Sequence, residues 1–595
     1  MTAQSIGTAE KVARLMEERV FEAHDGTELF FRHWRAKSTP SRGAILLFHR
    51  GHEHGGRMAH LVEESGLDDY DFYAWDARGH GRSAGPRGSA PDFATLVRDA
   101  DTFARHIREA DGVEFQDMAI VAQSVGAVIA STWVHDYASR MRAMVLASPA
   151  FDVNLIVPLA RPARSLWKRL RGDFQVNSYV KASMLTHDQE RVASYQSDPL
   201  ITRPIAANLL LDLYRTAERV VSDAKAITVP TQLLISGADK VVRETAQHAF
   251  FTNLGSTKKE RHVLKGFYHD TLGERDRAPV IQDINRFIEE CFDAPVEQAN
   301  FLDAHRSSFT RDEAEKLASP LPKSSARALY WATTRASLAL GGRLSKGLSL
   351  GRKTGFDSGS TLDYVYRNKA EGFSPLGRMI DRNYLNSIGW RGIQQRKIHA
   401  EEMIGIALDR LVSENQPARI VDIAAGHGRY VLEALANRQS RPDSILLRDY
   451  RPRNVEAGRA SIAKKNLAGI ARFEQGDAFD GEDLAAITPH PTLAIVSGLY
   501  ELFADNDMVL RSLKGLAKAV PAGGYLVYTG QPWHPQLELI ARALTSHRDG
   551  QAWVMRRRVQ AEMDQLVAEA GFRKLEQRID RWGIFTVSLA QRIKD

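Results

Sequence analysis

Ser124 has the sequence surroundings of a catalytic nucleophile. It stands at the centre of the stretch 122–126 (AQSVG), which follows one apolar run and leads into another at residues 127–133. This order predicts a strand that turns sharply into a helix, and such a strained turn presents a serine hydroxyl above the sheet. Ala122 and Gly126 are small, so the strand and the helix can pack closely around the turn. Taken alone, the serine could instead be a helix N-cap.

Two later residues fit the roles of acid and base for this serine. Asp239 comes just after the apolar run 231–236, and His269 follows thirty residues later in a loop. A nucleophile, an acid and a histidine in this chain order are typical of hydrolases with a strand–turn–helix serine. We expect His269 to remove the proton from Ser124 and Asp239 to hold the imidazole in the correct tautomer. The alternatives are a turn residue for Asp239 and a surface histidine for His269.

The loop at residues 49–57 (HRGHEHGGR) supplies a further part of the predicted site. A hydrolase of this kind stabilises the oxyanion with the N–H of the residue after the nucleophile, here Val125, and with an N–H from an early loop. Gly51 is the expected second donor. The loop also contains three histidines, but their spacing matches neither H-E-x-x-H nor H-x-x-E-H. No metal site is therefore expected.

These residues, together with the stretch 76–83 (DARGHGRS), resemble the α/β-hydrolases of the monoacylglycerol lipase and lysophospholipase group. The resemblance extends over residues 20–292 and implies an α/β-hydrolase fold. It departs from the family at Arg50, where the family usually has glycine. In such lipases a helical cap lies between the nucleophile and the acid, which here corresponds to about residues 151–225. The resemblance also implies a carboxylic ester substrate, with a lipid or acyl ester favoured and a small ester as the alternative.

A second group of residues could hold a nucleoside-containing cofactor. The stretch 421–430 (VDIAAGHGRY) ends an apolar run, and its glycines would let the backbone approach a ligand. It lacks the G-x-G-x-x-G spacing of dinucleotide-binding domains. Asp449 stands at the end of the next predicted strand, where a carboxylate can bind the two hydroxyls of a ribose. Asp477 and Phe479 follow a third strand, where the acid could accept a hydrogen bond from adenine and the ring could lie beside it.

These pieces resemble the class I S-adenosylmethionine-dependent methyltransferases over residues 380–593. Ala424 replaces the first glycine of the family's motif, and we expect binding to survive because the position requires a small residue. The resemblance implies a Rossmann-like fold with an antiparallel last strand, and S-adenosyl-L-methionine as the cofactor. A domain of this fold that has lost its ligand is the alternative. The cofactor-binding positions that the resemblance implies are Asp422, Ala424, Gly426, Gly428, Asp449, Asp477 and Ala478.

Residues at the expected carboxyl edge of this second sheet are candidates for the methyl-acceptor site. Tyr500 and Glu501 follow the fourth predicted strand, and His534 follows the fifth. Ligands of open α/β sheets bind at this edge. The three side chains could orient or deprotonate an acceptor, or they could be ordinary core and loop residues. Methyl transfer can also run on proximity and alignment alone.

The strands and helices that position the hydrolase residues and the cofactor-binding residues follow an α/β pattern. Short apolar runs alternate with amphipathic stretches in residues 20–295 and again in residues 376–595, which indicates two mostly parallel sheets covered by helices. Residues 296–375 are rich in Ser, Gly, Arg and Lys and are expected to form a basic junction. The predicted strands lie at residues 44–48, 72–76, 118–122, 143–146, 231–236, 419–424, 444–447, 471–474, 493–496, 525–529, 572–579 and 583–589.

The composition is that of a globular protein with a large core. The chain has 595 residues, of which 43% are hydrophobic and 26% charged, so disordered, collagenous and coiled-coil classes are excluded for most of its length. The single cysteine, Cys291, excludes an internal disulfide framework. Neither a secretory signal nor an apolar run long enough to span a membrane is visible, so a cytoplasmic location is expected.

The net charge of +7 is concentrated in one segment, because residues 301–400 carry 17 Lys and Arg against 8 Asp and Glu. Within this segment, residues 321–353 combine basic and apolar side chains. The pattern fits a helix at an anionic membrane surface, which would make the protein peripheral at the inner membrane, or a helix packed on a neighbouring domain. Binding of nucleic acid is not expected, because the basic residues are confined to one segment.

The sequence therefore predicts a bifunctional enzyme in which a serine ester hydrolase is joined to a methyltransferase. In one alternative, only one of the two parts is catalytic and the other is a scaffold or a ligand-binding module. In a second alternative, the chain is a non-catalytic adaptor for a lipid or a protein partner.

Overall fold

The chain forms two compact units, Met1–Ala299 and Asn300–Asp595, in the computed structural model. Each unit contains its own sheet and its own buried apolar clusters. The structure describes residues 14–154, 174–297, 299–436, 438, 441–548 and 550–593.

The sheet of the first unit is mostly parallel. Its strands, with those of a short ribbon, are β1 (Met16–Glu22), β2 (Glu28–Trp34), β3 (Gly43–Phe48), β4 (Tyr70–Trp75), β5 (Met118–Gln123), β6 (Ala143–Ala147), β7 (Gln175–Asn177), β8 (Pro204–Ala206), β9 (Thr231–Ser236) and β10 (Lys259–Leu264). The order in the sheet is β1-β2-β4-β3-β5-β6-β9-β10. β2 runs antiparallel to β1 and β4. The other six strands of the sheet, β4, β3, β5, β6, β9 and β10, run parallel to one another. Strands β3, β5, β6 and β9 are buried along their whole length, as expected where helices cover both faces.

Helices cover both faces of this sheet. They are α1 (Ala59–Ser65), α2 (Phe93–Asp111), α3 (Val125–Tyr137), α4 (Gln189–Ser197), α5 (Ala207–Ser222), α6 (Glu244–Asn253) and α7 (Ala278–Asp293). α1 and α7 bury apolar side chains such as Phe287 against one face. On the other face, Trp75 of β4 stacks on Phe103 of α2, and Phe48 of β3 packs against Trp133 of α3. The α/β-hydrolase fold predicted for this part of the chain is confirmed.

The described part of the predicted cap, about residues 151–225, contains both strands and helices. β7 and β8 pair as a two-stranded antiparallel ribbon. α5 packs on α3, where Arg219 donates two hydrogen bonds to Asp136 (2.5 and 2.8 Å). The sequence predicted helices alone, because strands of three residues leave almost no periodic signal. Residues 155–173, the centre of the predicted cap, lie outside the described residues.

The sheet of the second unit has the predicted Rossmann-like order with an antiparallel last strand. Its strands are β11 (Arg419–Asp422), β12 (Ser444–Asp449), β13 (Ala471–Gln475), β14 (Leu493–Val496), β15 (Tyr525–Gly530), β16 (Phe572–Ile579) and β17 (Thr586–Arg592). They lie in the order β13-β12-β11-β14-β15-β17-β16, and β17 is antiparallel to both neighbours. β17 begins three residues later than predicted, because Gly583 turns the chain with a φ of 72°.

Helices surround this second sheet as well. They are α8 (Phe309–Ala318), α9 (Ala326–Gly341), α10 (Lys346–Thr354), α11 (Gly359–Arg367), α12 (Pro375–Leu385), α13 (Ile388–Ser413), α14 (Arg429–Ala434), α15 (Pro452–Lys464), α16 (Gly481–Ala485), α17 (Asn506–Ala519), α18 (Leu537–Ala543) and α19 (Gln560–Glu569). α13, α14 and α15 pack on one face of the sheet, and α17 and α19 pack on the other. Within the described ranges, no helix is both long and apolar enough to cross a bilayer.

Residues 296–375 do not form the basic junction that the sequence predicted. They contain α8 to α11, and they bury Leu348 and Tyr364 in one apolar cluster with Trp390 and Phe585. From Asn300 onward the segment is therefore part of the second unit. A helix was expected only within residues 321–353, because Ser, Gly, Arg and Lys dominate the composition of the segment.

Asp381 links the helices of this segment. The buried carboxylate accepts hydrogen bonds from the Ser345 hydroxyl (2.6 Å) and from the backbone N–H groups of Gly347 (2.9 Å) and Glu371 (2.8 Å). The hydroxyl of Tyr364 donates a further hydrogen bond to it. One side chain therefore joins α10, α11 and α12.

Candidate active sites

Ser124, His269 and Asp239 form a continuous hydrogen-bonded chain in the first unit. Ser124 Oγ lies 2.8 Å from His269 Nε2, and His269 Nδ1 lies 2.8 Å from Asp239 Oδ2. Ser124 and His269 are buried. The structure thus brings together the three residues that the sequence singled out, at distances over which a histidine can take the proton of a serine.

Ser124 lies at a strained turn between β5 and α3. Its φ of 55° is left-handed, which residues other than glycine rarely adopt, and α3 begins at the next residue. Gly126 has no room for a side chain, because a Cβ there would lie 2.5 Å from the carbonyl oxygen of His49 and 2.6 Å from that of Phe48. The turn therefore places the hydroxyl beyond the end of β5.

Asp239 is positioned by the backbone of the loop after β9. Its Oδ1 accepts hydrogen bonds from the N–H groups of Val241 (2.7 Å) and Val242 (3.0 Å), and Oδ2 faces His269. Burial raises the pKa of Asp239, but His269 and the hydrogen bonds outweigh it, and the pKa lies below its ordinary value. The carboxylate is therefore ionised and can stabilise an imidazolium.

Gly51, the expected second oxyanion donor, lies next to Val125. A Cβ on Gly51 would stand 3.1 Å from Val125 Cγ2. The loop after β3 and the first residue of α3 therefore approach closely beside the serine. This proximity is what a pair of oxyanion donors requires.

Arg50 belongs to a buried charge network behind this site. It donates to Glu53 Oε1 (2.7 Å), and its guanidinium lies 3.7 Å from the Asp270 carboxylate. Asp270 also pairs with Arg191 (3.1 Å) and accepts from the Gln123 amide (3.2 Å). Burial raises the pKa of Asp270, but the two arginines bring it below its ordinary value. The network was not predicted, because Arg191 and Asp270 are far from Arg50 in the chain. It accounts for an arginine at the position where the family usually has glycine.

The histidines of the loop 49–57 have separate hydrogen-bond partners. His49 Nε2 accepts from the Ala77 N–H (3.0 Å), and His54 Nε2 lies 2.9 Å from Asp198 Oδ2. Asp198 belongs to the predicted cap. The loop is thereby tied to that segment.

The glycine-containing turn of the second unit borders a cleft of about 1400 Å³ at the carboxyl edge of the sheet. Phe479, Gly498 and Leu502 also line this cleft. Among the predicted cofactor positions, those that line it are Ala424, Gly426, Asp449, Asp477 and Ala478. Asp422 and Gly428 are not among its lining residues and instead shape the turn.

The two glycines of this turn have different roles. Both adopt left-handed backbone angles, with φ of 60° at Gly426 and 71° at Gly428. A Cβ at Gly426 would make an ordinary van der Waals contact with Gly359 Cα at 3.6 Å, whereas a Cβ at Gly428 would collide with Leu447 at 2.5 Å. The first glycine borders the cleft without a side chain, and the second lets α14 start close to β12.

Asp449 is held at the edge of the cleft by three donors. Its Oδ2 accepts from the Gly426 N–H (3.0 Å), and its Oδ1 accepts from the Arg451 N–H (2.8 Å) and the Asn454 amide (3.0 Å). Burial raises the pKa of Asp449 above its ordinary value. An ionised carboxylate has about four acceptor positions, so one position remains for a ligand hydroxyl. The carboxylate can therefore accept a hydrogen bond from a ribose hydroxyl.

Asp422 lies beneath the same turn and is fully buried. It accepts hydrogen bonds from the Tyr430 hydroxyl (2.5 Å) and the Ala424 N–H (3.3 Å). Burial raises its pKa to about 7. Asp422 therefore stabilises the turn from below.

Glu501 and His534 line a second, apolar cavity of about 330 Å³, and Tyr500 does not. The Tyr500 hydroxyl donates to Ser512 (2.9 Å) within the core, so the structure places it as the core residue that the sequence allowed. His534 Nδ1 accepts from the Gln536 N–H (3.0 Å), and burial lowers the pKa of His534 to about 3. This histidine is therefore neutral, with its proton on Nε2.

Arg396 of α13 lines the same cavity and was not singled out by the sequence. Its Nη1 lies 3.6 Å from Glu501 Oε1, which also accepts from the Thr529 hydroxyl (2.7 Å). Gly498 and Leu502 line both the cleft and this cavity. No local signal distinguishes Arg396 from the other arginines of a long helix, so tertiary packing alone reveals it.

Residues 321–353 pack through one face and expose another. Trp331 of α9 is buried and donates to a carboxylate of α18 (3.2 Å). Leu340 is 63% exposed at the end of α9, and Phe373, just before α12, is 65% exposed. The Phe373 N–H donates to the Leu344 carbonyl (2.9 Å), which brings the two exposed side chains into one region.

Comparisons with known proteins identify a family for each unit. Residues 284–592, about half of the chain, match a family model described as "Putative methyltransferase". A relative from Escherichia coli (strain K12), the uncharacterized protein YnbC, is 54% identical over 581 residues, which cover 98% of this chain and 99% of the relative. The chain belongs to this methyltransferase family. The second unit is accordingly its methyltransferase-family unit.

The first unit has relatives of its own. Residues 39–276 match a family model described as "Serine aminopeptidase". The sheet and this match identify the first unit as an α/β-hydrolase domain. A monoacylglycerol lipase of Mycolicibacterium smegmatis is 25% identical over 284 residues, which cover 47% of this chain and 98% of the lipase. The solved structure of the Paleococcus ferrophilus monoacylglycerol lipase is also similar. The match covers 44% of this chain and 98% of the lipase chain at 22% identity, with a TM-score of 0.40.

Proposed function

We propose that the chain is a bifunctional enzyme. The first unit hydrolyses carboxylic esters, with a lipid or acyl ester as the substrate, and the second transfers a methyl group from S-adenosyl-L-methionine. The hydrolase rests on the two 2.8 Å hydrogen bonds that join Ser124, His269 and Asp239. The transferase rests on the cleft that Gly426 and Asp449 border.

In the proposed hydrolysis, His269 Nε2 takes the proton of Ser124 while the serine oxygen attacks the ester carbonyl carbon. The N–H groups of Val125 and Gly51 stabilise the negative charge on the carbonyl oxygen. The bond to the alcohol then breaks, His269 returns the proton to the departing oxygen, and an acyl ester of Ser124 remains. Water, deprotonated in turn by His269, releases the acid and restores the serine. Asp239 holds the Nδ1–H throughout.

In the proposed transferase, the chain's own residues bind and align. Asp449 accepts a hydrogen bond from a ribose hydroxyl, Gly426 lets the backbone approach the ligand, and Asp477 borders the base. When bound, S-adenosyl-L-methionine supplies an electrophilic methyl group. Gly498 and Leu502 separate the cleft from the neighbouring cavity, so cofactor and acceptor lie side by side, and alignment supplies part of the catalysis.

The lipid nature of the substrate is supported by the lipase relatives of the first unit. The second unit adds a surface suited to contact with an anionic membrane, which is the peripheral association we propose. Leu340 and Phe373 are exposed there, and Arg343 and Arg378 are exposed in the same stretches of chain. Apolar side chains flanked by arginines favour the interface of a bilayer that contains anionic lipids.

Two binding assays on the full chain test the two activities separately. A fluorophosphonate probe should label the wild type and Asp449→Ala but not Ser124→Ala, with Ser197→Ala, an exposed serine of α4, as the matched control. Calorimetric titration with S-adenosylhomocysteine should show binding to the wild type and Ser124→Ala, and a loss of affinity in Asp449→Ala. Methyl-labelled S-adenosylmethionine, incubated with a total lipid extract, then reports whether label enters the organic phase.

Each result has a defined meaning. Two independent losses would contradict the alternative in which only one unit is functional. Labelling that survives in Ser124→Ala, or is absent from the wild type, would refute the hydrolase. A wild type that does not bind S-adenosylhomocysteine would refute the transferase.

A further inference from the structure

Five of the residues that line the cavity beside the cleft carry a buried polar atom that has no hydrogen-bond partner among the described residues. Four of these atoms are Glu501 Oε2, Arg396 Nε, Gln531 Nε2 and Trp553 Nε1, whose residues are more than nine-tenths buried. The fifth is the hydroxyl of Tyr384, a half-buried residue. Buried donors and acceptors in folded proteins are almost always satisfied, because leaving them unpaired is costly. Their convergence on one cavity indicates a ligand that pairs with them.

Most of the remaining wall of this cavity is apolar, although Asp357, Ser387, His534 and Gln536 also line it. Its volume of about 330 Å³ lies at the small end of the range for small-molecule sites, roughly 300–1,000 Å³. An apolar cavity with a few convergent polar groups is the usual form of such a site. The principal apolar side chains are those of Trp390, Ile393, Leu502, Ile540, Met555 and Phe585.

The polar groups define the chemistry of the ligand. Gln531, Trp553 and Arg396 offer donors, and His534 offers its Nε2–H because Nδ1 is occupied by the Gln536 N–H. Glu501 Oε2 offers the acceptor. Arg396 lies 3.6 Å from the Glu501 carboxylate and balances its charge, so this pair of side chains has no net charge. A matching ligand is neutral and carries oxygen acceptors together with one O–H donor.

We propose that this cavity holds the methyl acceptor, and that the acceptor is a neutral, apolar hydroxy compound such as a phenol, bound by its hydroxyl to Glu501. This inference rests on the proposed transferase function of the second unit. Asp357, Leu362, Gly498 and Leu502 line both the cavity and the cofactor cleft, so a ligand in the cavity adjoins the cleft. Glu501 lines the cavity and directly precedes Leu502 of this shared wall in the chain, which makes it the catalytic base.

The proposed methyl transfer breaks two bonds and forms two. The acceptor O–H bond breaks, and its proton passes to Glu501 Oε2. A bond forms between the acceptor oxygen and the methyl carbon. The bond from that carbon to the sulfonium sulfur breaks, and its electron pair stays on sulfur as a neutral thioether.

A pair of probes that differ by one methyl group tests this assignment. 2-Naphthol carries the O–H donor, and 2-methoxynaphthalene is its methyl ether. Calorimetric titrations use the full chain, with and without saturating S-adenosylhomocysteine. Because the ether leaves Glu501 Oε2 unpaired, naphthol should bind about tenfold or more tightly than the ether. Glu501→Gln should abolish this preference.

A second pair of variants tests the location. Ile393→Trp places a larger side chain in the cavity wall and should weaken naphthol binding about tenfold or more. Ile398→Trp is the matched control, since Ile398 lies on the same helix but is 53% exposed, and it should bind as the wild type does. Glu501→Gln is nearly isosteric, so it decides the question if Ile393→Trp does not fold.

The outcomes separate this inference from the function on which it rests. If S-adenosylhomocysteine binds but naphthol shows no preference over the ether, or binds Glu501→Gln equally well, the acceptor class is wrong while the transferase stands. If naphthol binding is selective but S-adenosylhomocysteine does not bind, the transferase fails and the acceptor role fails with it. Selective binding that depends on Glu501 and Ile393, alongside binding of S-adenosylhomocysteine, supports both.

Discussion

Replacement of Asp422 by asparagine should flatten the pH dependence of the stability of the second unit. The carboxyl group is fully buried, and its pKa is raised from 3.8 to about 7. The folded state therefore holds this proton more tightly than the unfolded state does. The resulting stability is fully present below the unfolded pKa of 3.8 and is lost as the pH rises through about 7.

The magnitude follows from the difference between the two pKa values. A difference of about three pKa units corresponds to roughly 4 kcal/mol in the free energy of unfolding, at about 1.4 kcal/mol per unit. Asparagine cannot ionise and keeps one acceptor for the Tyr430 hydroxyl and the Ala424 N–H, so it costs about 1 kcal/mol in hydrogen bonding. At pH 5 the variant should therefore lie within roughly 1–2 kcal/mol of the wild type, and at pH 8 it should be the more stable by about 3 kcal/mol.

This assay must measure the unfolding of the two units separately. Urea series equilibrated at several pH values can be labelled with a brief deuterium pulse at one common pH and analysed by peptide mass spectrometry. Peptides from β11 and α14 report on the second unit, and peptides from β5 and α3 serve as an internal control. Glu474→Gln, which removes an exposed carboxylate from β13, is the matched variant. Parallel pH profiles for the wild type and Asp422→Asn would refute the reasoning.

The other predictions concern the remaining features of the two units. Asp239→Asn should lower the kcat for ester hydrolysis by about 10⁴-fold, because the amide stabilises the wrong imidazole tautomer; steady-state kinetics with unchanged folding by circular dichroism would check this, and near-normal kcat would contradict it. Gly126→Ala should destabilise the first unit by about 1–3 kcal/mol and reduce ester hydrolysis, because its Cβ would lie 2.5 Å from a carbonyl oxygen; S-adenosylhomocysteine binding should not change. Asp449→Ala should weaken S-adenosylhomocysteine by about tenfold or more, since hydrogen bonds to a carboxylate contribute roughly 1.5–3 kcal/mol each, and equal calorimetric affinities would exclude its role. The double variant Leu340→Glu and Phe373→Glu should reduce co-sedimentation with vesicles that contain phosphatidylglycerol but not with neutral vesicles. Unchanged co-sedimentation with the phosphatidylglycerol vesicles would contradict the proposed membrane surface.

The serine, histidine and aspartate of the first unit could be brought together from sequence because each has a local signal. Ser124 follows an apolar run and precedes a helical one, and Asp239 stands at the end of a run that forms β9. Chain order then relates the acid to His269. Arg50 shows the limit of such signals, since its partner Asp270 became evident only when the loops were folded together.

In the second unit, the strands could be predicted from sequence more easily than the residues that line the cavity. β11, β12 and β14 were placed to within two residues, because buried parallel strands are short apolar runs. Tyr500 and Glu501 are neighbours in one short turn, yet one enters the core and the other lines a cavity. Sequence carries no periodic signal in so short a turn. Among the helices of residues 309–385, only one within residues 321–353 was expected, because the composition of the segment resembles that of a linker.

The carboxylate of Asp381 also constrains how this family can diverge. Its four donors lie in or beside three helices, so any substitution leaves several buried groups unpaired at once, whereas exchange of a single apolar neighbour removes only its own contacts. Under neutral drift, Asp381 should therefore change far less often than the exposed faces of α9 and α12. Helices anchored in this way can accumulate new surface residues, and with them new ligands or locations in the cell, while their arrangement around the sheet is inherited unchanged.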